Sequence, residues 1–307
     1  MRIIFMGTPK FALPTLQTLL SSVVGVITQP DRPQGRGYRL QPPVVKEVAF
    51  AAGIPVLQPQ QVDTAESLSQ ILQLAPDLIV VVAYGQILPL KLLALPPKGC
   101  INLHASLLPR WRGAAPIERS IMHGDEITGV TTMYMSAGLD TGDIIMQEEE
   151  IITADDTAAS LAERLAEKGA DLVKRTVRAI IAGTAPRQPQ DHSLATWAPP
   201  LTKEDAIVNW QQSANMVANQ VRGLNPRPGA TTFVAGDRLK IWQAKASNST
   251  RAGQPGRILE VRAEDGIVVA CGQGALLIEK VQPAGKRSMT AQSYACGYRV
   301  QPGDIWG

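Results

Sequence analysis

The chain has 307 residues, of which 45% are apolar and 19% are charged, so it has material for a sizeable core and is neither disordered nor fibrous. Its formal net charge of +3 is unevenly spread: residues 1–206 carry 18 basic against 21 acidic side chains, and residues 207–307 carry 12 against 6. This asymmetry indicates that the C-terminal part meets an anionic partner.

The first half of the chain alternates predicted strands and helices. The strands are predicted at apolar, β-branched runs, namely Arg2–Met6, Val23–Thr28, Leu78–Ala83 and Cys100–His104. The helical patterns between them are Lys10–Leu20, Val44–Ala52 and Ala65–Leu74. Continuous apolar strands with helical crossovers favour an α/β domain with a mostly parallel sheet.

No segment of the sequence reads as a membrane span or a targeting peptide. The longest apolar run is about six residues, far short of the ~20 that cross a bilayer. The first predicted strand begins at residue 2, which leaves no room for a signal or transit peptide. We therefore expect a cytoplasmic protein without a membrane partner.

Two strands, at Thr128–Met135 and Ile144–Thr153, and an amphipathic helix at Thr157–Ile181 follow. Prolines and polar residues then replace the periodicity, which predicts a linker at 189–206 between a domain at 1–188 and a domain at 207–307. Beyond it a helix is predicted at Ser213–Leu224. Five short strands with glycine turns predict a small antiparallel β-barrel of OB-like type: Ala230–Val234, Leu239–Ala244, Gly256–Arg262, Gly266–Cys271 and Ala275–Val281.

Nucleotide and metal motifs are missing where they would be expected. Gly7-Thr8-Pro9 follows the first strand without the second and third glycines of a dinucleotide fingerprint, so the sheet is Rossmann-like without that site. The three cysteines and three histidines form no C-x-x-C pair and no short paired spacing. We expect no metal site.

Polar side chains cluster at the end of the strand Cys100–His104. Asn102 and His104 alternate with apolar residues, so both project from one face where open α/β sheets bind ligands. The side-chain amide of Asn can donate a hydrogen bond to a developing oxyanion, and His can transfer protons at neutral pH. Either Asp140 or Asp143, in a later glycine-flanked loop, could orient the histidine, and spacing does not choose between them. The alternative is a buried Asn and His that only hold a loop.

These residues carry a resemblance to a known family. Asn102-x-His104-x-Ser106-Leu-Leu-Pro109 followed by Gly138-Leu-Asp140-Thr-Gly-Asp143 resembles the active-site signature of formyltransferases that use N10-formyltetrahydrofolate. Four other segments are similar to the branch of that family that acts on methionyl-tRNA: Phe5–Pro9, Thr28–Gly37, Arg110–Pro116 and Gln282–Lys286. The resemblance spans nearly the whole chain.

The resemblance implies a reaction and a set of residues. The formyl group of 10-formyltetrahydrofolate would pass to the amino group of methionyl-initiator-tRNA for translation initiation, without a metal. Asn102, His104 and Asp140 would be the catalytic trio, with Asn102 and protonated His104 stabilising the tetrahedral oxyanion and Asp140 helping to relay a proton. The folate site would be lined by Ser106, Leu107, Leu108 and Pro109.

The resemblance also implies where tRNA binds. The loop Gln29–Leu40, with Arg32, Arg36 and Arg39, resembles a segment that enters the acceptor end of the tRNA, and Arg36 matches its important arginine. In the basic barrel the candidates are Arg222, Lys240, Lys245, Lys286 and Arg287.

We expect a monomer. Two other interpretations stay open: a formyl-folate enzyme that acts on amino sugars or hydrolyses formyltetrahydrofolate, and a non-catalytic RNA-binding protein on the same fold.

Overall fold

The computed structural model describes residues 1–34 and 39–307, which form two compact units. The first unit contains residues 1–116, 127–151 and 162–198, and the second contains residues 117–126, 152–161 and 199–307. Each unit is therefore assembled from three separate stretches of the chain.

The strands up to residue 198, numbered along the chain, are β1 Ile3–Gly7, β2 Val23–Ile27, β3 Arg32–Gln34, β4 Arg39–Gln41, β5 Val56–Leu57, β6 Leu78–Val82, β7 Cys100–His104, β8 Arg112–Gly113, β9 Ile127–Tyr134, β10 Ile144–Ile151 and β11 Trp197–Ala198. The helices over the same range are α1 Leu13–Leu19, α2 Val44–Ala51, α3 Ala65–Gln73, α4 Leu90–Leu93, α5 Pro116–His123 and α6 Ala158–Ala182. Among the helices of the described chain, none combines the length and apolar character needed to cross a membrane.

Seven strands of the first unit form one sheet in the order β10-β9-β7-β6-β1-β2-β5. The pairs among β5, β2, β1, β6 and β7 are parallel, whereas β9 and β10 add an antiparallel edge. Every residue of β1 and of β6 is buried, as expected for strands covered on both faces. The predicted mostly parallel α/β sheet is confirmed. The helix predicted at Lys10–Leu20 begins instead with a 3₁₀ turn, and α1 starts at Leu13 with a proline in its first turn.

The segment 189–206, for which composition predicts a linker, is held by hydrogen bonds along much of its length. In the first unit β11 pairs in parallel with β8, and Gln190 is buried. In the second unit Asp205 accepts a hydrogen bond from the Thr202 amide at 2.8 Å. The domain limits of 1–188 and 207–307 stay predictions.

The second unit is built on an antiparallel sheet. Its elements after residue 198 are α7 Ala214–Gly223, β12 Ala230–Val234, β13 Asp237–Ser247, β14 Ile258–Arg262, β15 Gly266–Ala270, β16 Ala275–Pro283, β17 Met289–Thr290 and α8 Ala291–Tyr298. The strand order is β12-β13-β16-β15-β14, with β17 beside β16, and all these pairs are antiparallel. The sheet packs against α7 and α8 around a core that includes Trp210, Leu224 and Trp306. The predicted antiparallel sheet is confirmed, and its OB-like barrel form stays a prediction.

A bidentate ion pair joins two of the stretches that make up the second unit. Both terminal nitrogens of Arg119 in α5 lie 2.8 Å from the carboxylate oxygens of Asp205. The hydrogen bonds from Arg119, with a further one from the Thr202 amide, lower the pKa of Asp205 to about 2, although burial by itself would raise it.

We expect Asp205→Asn to lower the free energy of unfolding at neutral pH by about 1–2 kcal/mol, after allowance for solvent screening of this half-buried pair. A carboxyl whose pKa is lowered on folding stabilises the fold above its unfolded pKa of 3.8, and the contribution is lost as the pH falls through about 2. The difference between parent and variant should therefore shrink from pH 4 to pH 2 in denaturant titrations. Asp237→Asn, at an exposed position of the same unit, is the control. Equal losses in the two variants would contradict a role for the pair.

Candidate active site

The polar side chains predicted from the sequence lie at the carboxyl end of β7. Asn102 and His104 alternate with Ile101 and Leu103, so their side chains leave the same face of the sheet. His104 is 6% exposed, and Asn102 is half-buried. The neighbouring strand β6 is parallel to β7, with Val81 opposite Asn102, so the two carboxyl ends meet at the sheet edge where ligands of such folds bind.

The ring of His104 is held from both sides. Its Nε2 lies 2.8 Å from the carbonyl oxygen of Trp111, and its Nδ1 lies 3.6 Å from Oδ2 of Asp140. Both ring nitrogens thus face oxygen acceptors, and a ring that carries two N–H groups can satisfy both. The Asp140 contact is longer than a hydrogen bond but within the range of an ion pair.

Asp140 adopts an unusual backbone conformation, with φ of 52°. Its Oδ2 also accepts a hydrogen bond from the Gly113 amide at 2.9 Å, so the carboxylate is fixed between that amide and the histidine ring. Gly113 has φ of 124°, and a Cβ at that position would lie 2.6 Å from the Ala198 carbonyl oxygen. Only glycine lets this amide reach the carboxylate.

The other aspartate of the loop, Asp143, faces elsewhere. Its Oδ2 lies 3.7 Å from Nη1 of Arg187, and its side chain is 37% exposed. Arg187 in turn stacks its guanidinium 3.6 Å from the ring centre of Tyr134. Of the two aspartates that spacing left open, the structure brings Asp140, and not Asp143, to His104.

A buried network supports the loop that carries Asp140. The side-chain amide of Gln190 donates to the carbonyl oxygens of Asp140 and Gly142 at 2.9 and 2.8 Å. Its oxygen accepts two hydrogen bonds from Arg112, from Nη2 at 2.6 Å and from Nε at 3.1 Å. Sequence reasoning missed both residues. Arg112 stands inside a recognised motif without an assigned role, and Gln190 stands in a proline-rich segment whose composition indicates only a linker.

The segment Ser106–Pro109 is clamped to the sheet. The Thr131 hydroxyl donates to the Ser106 carbonyl at 2.6 Å and accepts from the Leu108 amide at 3.1 Å. The Ser106 hydroxyl donates to the Arg110 carbonyl at 2.6 Å. Ser106 and Leu108 are buried, whereas Leu107 and Pro109 are half-buried. The segment is therefore held against the sheet by hydrogen bonds, and its contact with folate stays a prediction.

Further polar groups lie where β1, β2 and β6 end. Thr8 donates to the Tyr84 carbonyl at 3.0 Å and lies 3.4 Å from the Thr28 hydroxyl. The Tyr84 hydroxyl and the Gln29 amide nitrogen are buried and have no hydrogen-bond partner among the described residues. Burial raises the pKa of Tyr84 to about 12, so the phenol is a neutral donor at any physiological pH. Within residues 1–34 and 39–307 no group of three His, Cys, Asp or Glu side chains is placed to hold a metal ion.

Of the three predicted tRNA-binding arginines of the first unit, Arg32 is described with its side chain. Arg36 lies outside the described residues, and only the backbone of Arg39, in β4, which pairs with β3, is described. Arg32 is exposed and donates to the Gln29 side-chain oxygen at 3.0 Å.

The predicted basic residues of the second unit fall into two kinds. Lys286 and Arg287 are exposed. Arg222 is half-buried and donates to the carbonyls of Thr153 and Asp156, Lys240 donates to the Pro228 carbonyl, and Lys245 pairs with Glu279. A groove of about 730 Å³ is lined by Trp242 and by charged side chains of both signs, namely Arg222, Lys245, Lys280, Asp155 and Glu279.

Comparison with known proteins gives matches over both parts of the chain. A model of the family described as formyl transferase matches residues 1–177, and a model of the formyl transferase C-terminal domain matches residues 200–299. A methionyl-tRNA formyltransferase of Moorella thermoacetica is 52% identical, over 100% of this chain and 99% of that protein. One of Geobacter sulfurreducens is 50% identical, over 100% of this chain and 97% of that protein.

Solved structures share the fold at lower identity. An N-formyltransferase from Helicobacter canadensis, in complex with folinic acid and dTDP-3-aminofucose, has a TM-score of 0.69 at 19% identity, over 92% of this chain and 99% of that one. HypX from Aquifex aeolicus in complex with tetrahydrofolic acid has a TM-score of 0.63 at 19% identity, over 96% of this chain and 47% of that one.

Proposed function

Because this chain belongs to the formyl transferase family, we propose that it transfers a formyl group from 10-formyltetrahydrofolate to the amino group of methionyl-initiator-tRNA, which yields formylmethionyl-tRNA for translation initiation. The observation that carries the proposal is identity of about half over the full length of relatives that bear this activity in their names. The amino-sugar enzymes share the fold at 19% identity, which supports no transfer of their substrate to this chain.

The site offers the groups that this reaction needs. As the methionyl nitrogen bonds to the formyl carbon, the carbonyl oxygen gains negative charge. The donor that we propose for this oxygen is the side-chain amide of Asn102, at the end of β7. Asp140 faces Nδ1 of His104. The other ring nitrogen, Nε2, is therefore the one that can donate to the substrate, in exchange for its contact with the Trp111 carbonyl. Each such donor lowers the activation free energy by about 3 kcal/mol.

The proton balance uses the same histidine. The attacking amine must lose a proton, and the N10 of the folate must gain one as its bond to the formyl carbon breaks. His104, with Nε2 unprotonated when the substrates are bound, can take this proton from the amine and pass it to N10. In between, the positive ring donates the same N–H to the oxyanion and is stabilised by the Asp140 carboxylate. The products are formylmethionyl-tRNA and tetrahydrofolate, and no covalent bond to the protein is formed.

Folate would be held at the carboxyl ends of β6 and β7 by the segment Ser106–Pro109. The buried Tyr84 hydroxyl and Gln29 amide are polar groups near the ends of β6 and β2 that a folate ring system could satisfy. The affinity for tetrahydrofolate, measured by quenching of the protein's tryptophan fluorescence and compared between the parent and Tyr84→Phe, gives the contribution of the Tyr84 hydroxyl.

The test of the proposed function is formyl transfer itself. The protein is incubated with 10-formyltetrahydrofolate and initiator methionyl-tRNA, elongator methionyl-tRNA or a nucleotide-linked amino sugar, and the formylated acceptor is quantified. We expect product with the initiator tRNA. Transfer to the amino sugar alone would support that other class, and transfer to neither would refute the proposal.

A separate measurement tests whether the protein is instead a non-catalytic RNA-binding protein. Gel-shift affinity for initiator tRNA is compared with and without the esterified methionine. An enzyme that accepts the methionyl group should bind the charged form more tightly, whereas a simple RNA binder would not distinguish the two.

We further propose that the protein works as a cytoplasmic monomer and that tRNA contacts both the loop 29–40, with Arg36, and the basic residues after 207. The net positive charge of residues 207–307 supports this platform, because phosphate neutralisation dominates nucleic-acid affinity. Sedimentation at micromolar concentration, with and without tRNA, tests the monomer.

The double change Lys286→Gln with Arg287→Gln should lower the slope of log affinity for tRNA against log salt by about one to two. Both side chains are exposed, so the fold should be unchanged. Side-chain changes are preferable to deletion of residues 207–307, because the second unit also contains residues 117–126 and 152–161, whose Met122 packs against its core.

The matched control removes the same charge elsewhere. Lys91→Gln with Lys98→Gln takes two exposed cations from the first unit and should leave the slope unchanged. Equal slopes for the parent and both double variants would contradict the role of Lys286 and Arg287.

A further inference from the structure

Gln190 stands at the centre of a buried network for which the reaction scheme has no use. It is 7% exposed, and the Arg112 side chain beside it is 3% exposed. The amide nitrogen donates to the Asp140 and Gly142 carbonyls, and the amide oxygen accepts from Arg112. All the strong hydrogen-bonding positions of this side chain therefore point into the protein.

The network fixes which way the amide faces. A guanidinium can only donate, so Arg112 forces the oxygen of Gln190 toward itself. Arg112 is itself held by a further contact of its Nη2, at 3.0 Å from Nδ1 of His192. The nitrogen of Gln190 is left facing the two carbonyls of the loop, which is the arrangement needed to donate to both.

The two carbonyls belong to the loop that presents the carboxylate to His104. Asp140 has a φ of 52°, a conformation that non-glycine residues keep only where neighbouring contacts impose it. Two residues later, a Cβ at Gly142 would collide with the Tyr134 carbonyl, so the loop is closely packed on that side. Gln190 thus donates hydrogen bonds to the backbone on both sides of Thr141, and the Gly113 amide donates one to the Asp140 carboxylate.

We infer that Gln190 is a positioning residue: its amide holds the backbone at Asp140 so that the carboxylate faces Nδ1 of His104. The inference rests on the proposed function in assigning the chemistry to these two residues. It also gives the proline-rich segment around residue 190 a part in the reaction, although its composition resembles a linker.

The first arm of the test is kinetic. Gln190→Met keeps the length of the side chain and loses every hydrogen bond, and Gln190→Glu keeps an acceptor for Arg112 but loses both donors. We expect kcat to fall by roughly 10- to 100-fold in each, with KM for both substrates within about 2-fold of the parent. Gln188→Met, at an exposed glutamine two residues earlier, should match the parent. If Gln190→Met does not fold, Gln190→Glu still supplies the comparison.

The second arm reads the histidine directly. The chain has only three histidines, so ¹⁵N-labelled imidazole signals can be assigned and titrated by NMR. The groups that face the His104 ring are the Asp140 carboxylate and the Trp111 carbonyl, while Arg112 of the adjacent β8 is engaged with Gln190 and His192. A carboxylate that is held less firmly stabilises the protonated ring less, so the titration midpoint of His104 should move to lower pH in Gln190→Met. Gln190→Glu brings a further negative charge toward the ring, so it is compared for kcat alone. His123, in the second unit, is the internal reference.

The two arms separate the possible failures. A His104 midpoint that stays at the parent value in folded Gln190→Met overturns the inference, whatever happens to kcat. Loss of thermal stability alone, with kcat and the titration unchanged, overturns it as well. The NMR titration needs no turnover, so a parent protein that transfers no formyl group would refute the proposed function and leave this comparison intact.

Discussion

Asp140→Asn should lower kcat for formyl transfer by roughly 10²- to 10³-fold. The carboxylate lies 3.6 Å from Nδ1 of His104 and is fixed by the Gly113 amide. An amide of the same shape carries no negative charge, so it stabilises the positive ring less and can turn its NH₂ group toward a nitrogen that must be a donor. The affinity for tRNA should stay unchanged, because the side chain is largely buried.

The matched control is Asp143→Asn, three residues along the same loop. That carboxylate lies 3.7 Å from Arg187 and is 37% exposed, so its neutralisation should change kcat by no more than about 2- to 3-fold, as for an exposed ion pair. Single-turnover formylation with saturating substrates measures both variants. The opposite ranking would transfer the role to Asp143.

Asn102→Ala should lower kcat by about 10²-fold, since it removes a donor to the developing oxyanion. The more informative change is Asn102→Asp, which keeps the shape and replaces the donor by a negative charge. Repulsion of the oxyanion should make Asn102→Asp slower than Asn102→Ala, with KM for either substrate little affected.

The order of the two Asn102 variants distinguishes catalysis from packing. If Asn102 only filled space at the end of β7, the isosteric aspartate would be the milder change. Thermal unfolding of both proteins serves as the control, because a loss of folded protein would lower the rate without changing kcat per folded molecule.

The parallel core of the first unit could be predicted because its strands are buried on both faces. Continuous apolar runs mark β1 and β6 within a residue or two, and the alternation in β7 places Asn102 and His104 on one face. These features depend on residues that are neighbours in the chain, which is what a sequence pattern records.

The choice of aspartate could not be made from spacing. It depends on the Gly113 amide, 27 positions before Asp140, and on Gln190, 50 positions after it. Hydrogen bonds over such separations leave no periodicity, so the segment around Gln190 shows only its prolines. In the second unit α8 was not predicted either, although Thr290 caps it by accepting a hydrogen bond from the Ser293 amide at 3.1 Å.

Because the second unit is made of three separate stretches, its parts are synthesised at different times. Residues 117–126 and 152–161 leave the ribosome well before residues 199–307, on which their unit depends. At about 5–20 residues per second, the first of these stretches waits roughly 10–40 s for its partners. The first unit is complete at residue 198, so it can fold while the other is still unfinished. Once residue 198 has been synthesised, the apolar surface that stays exposed to chaperones and proteases is therefore that of the second unit.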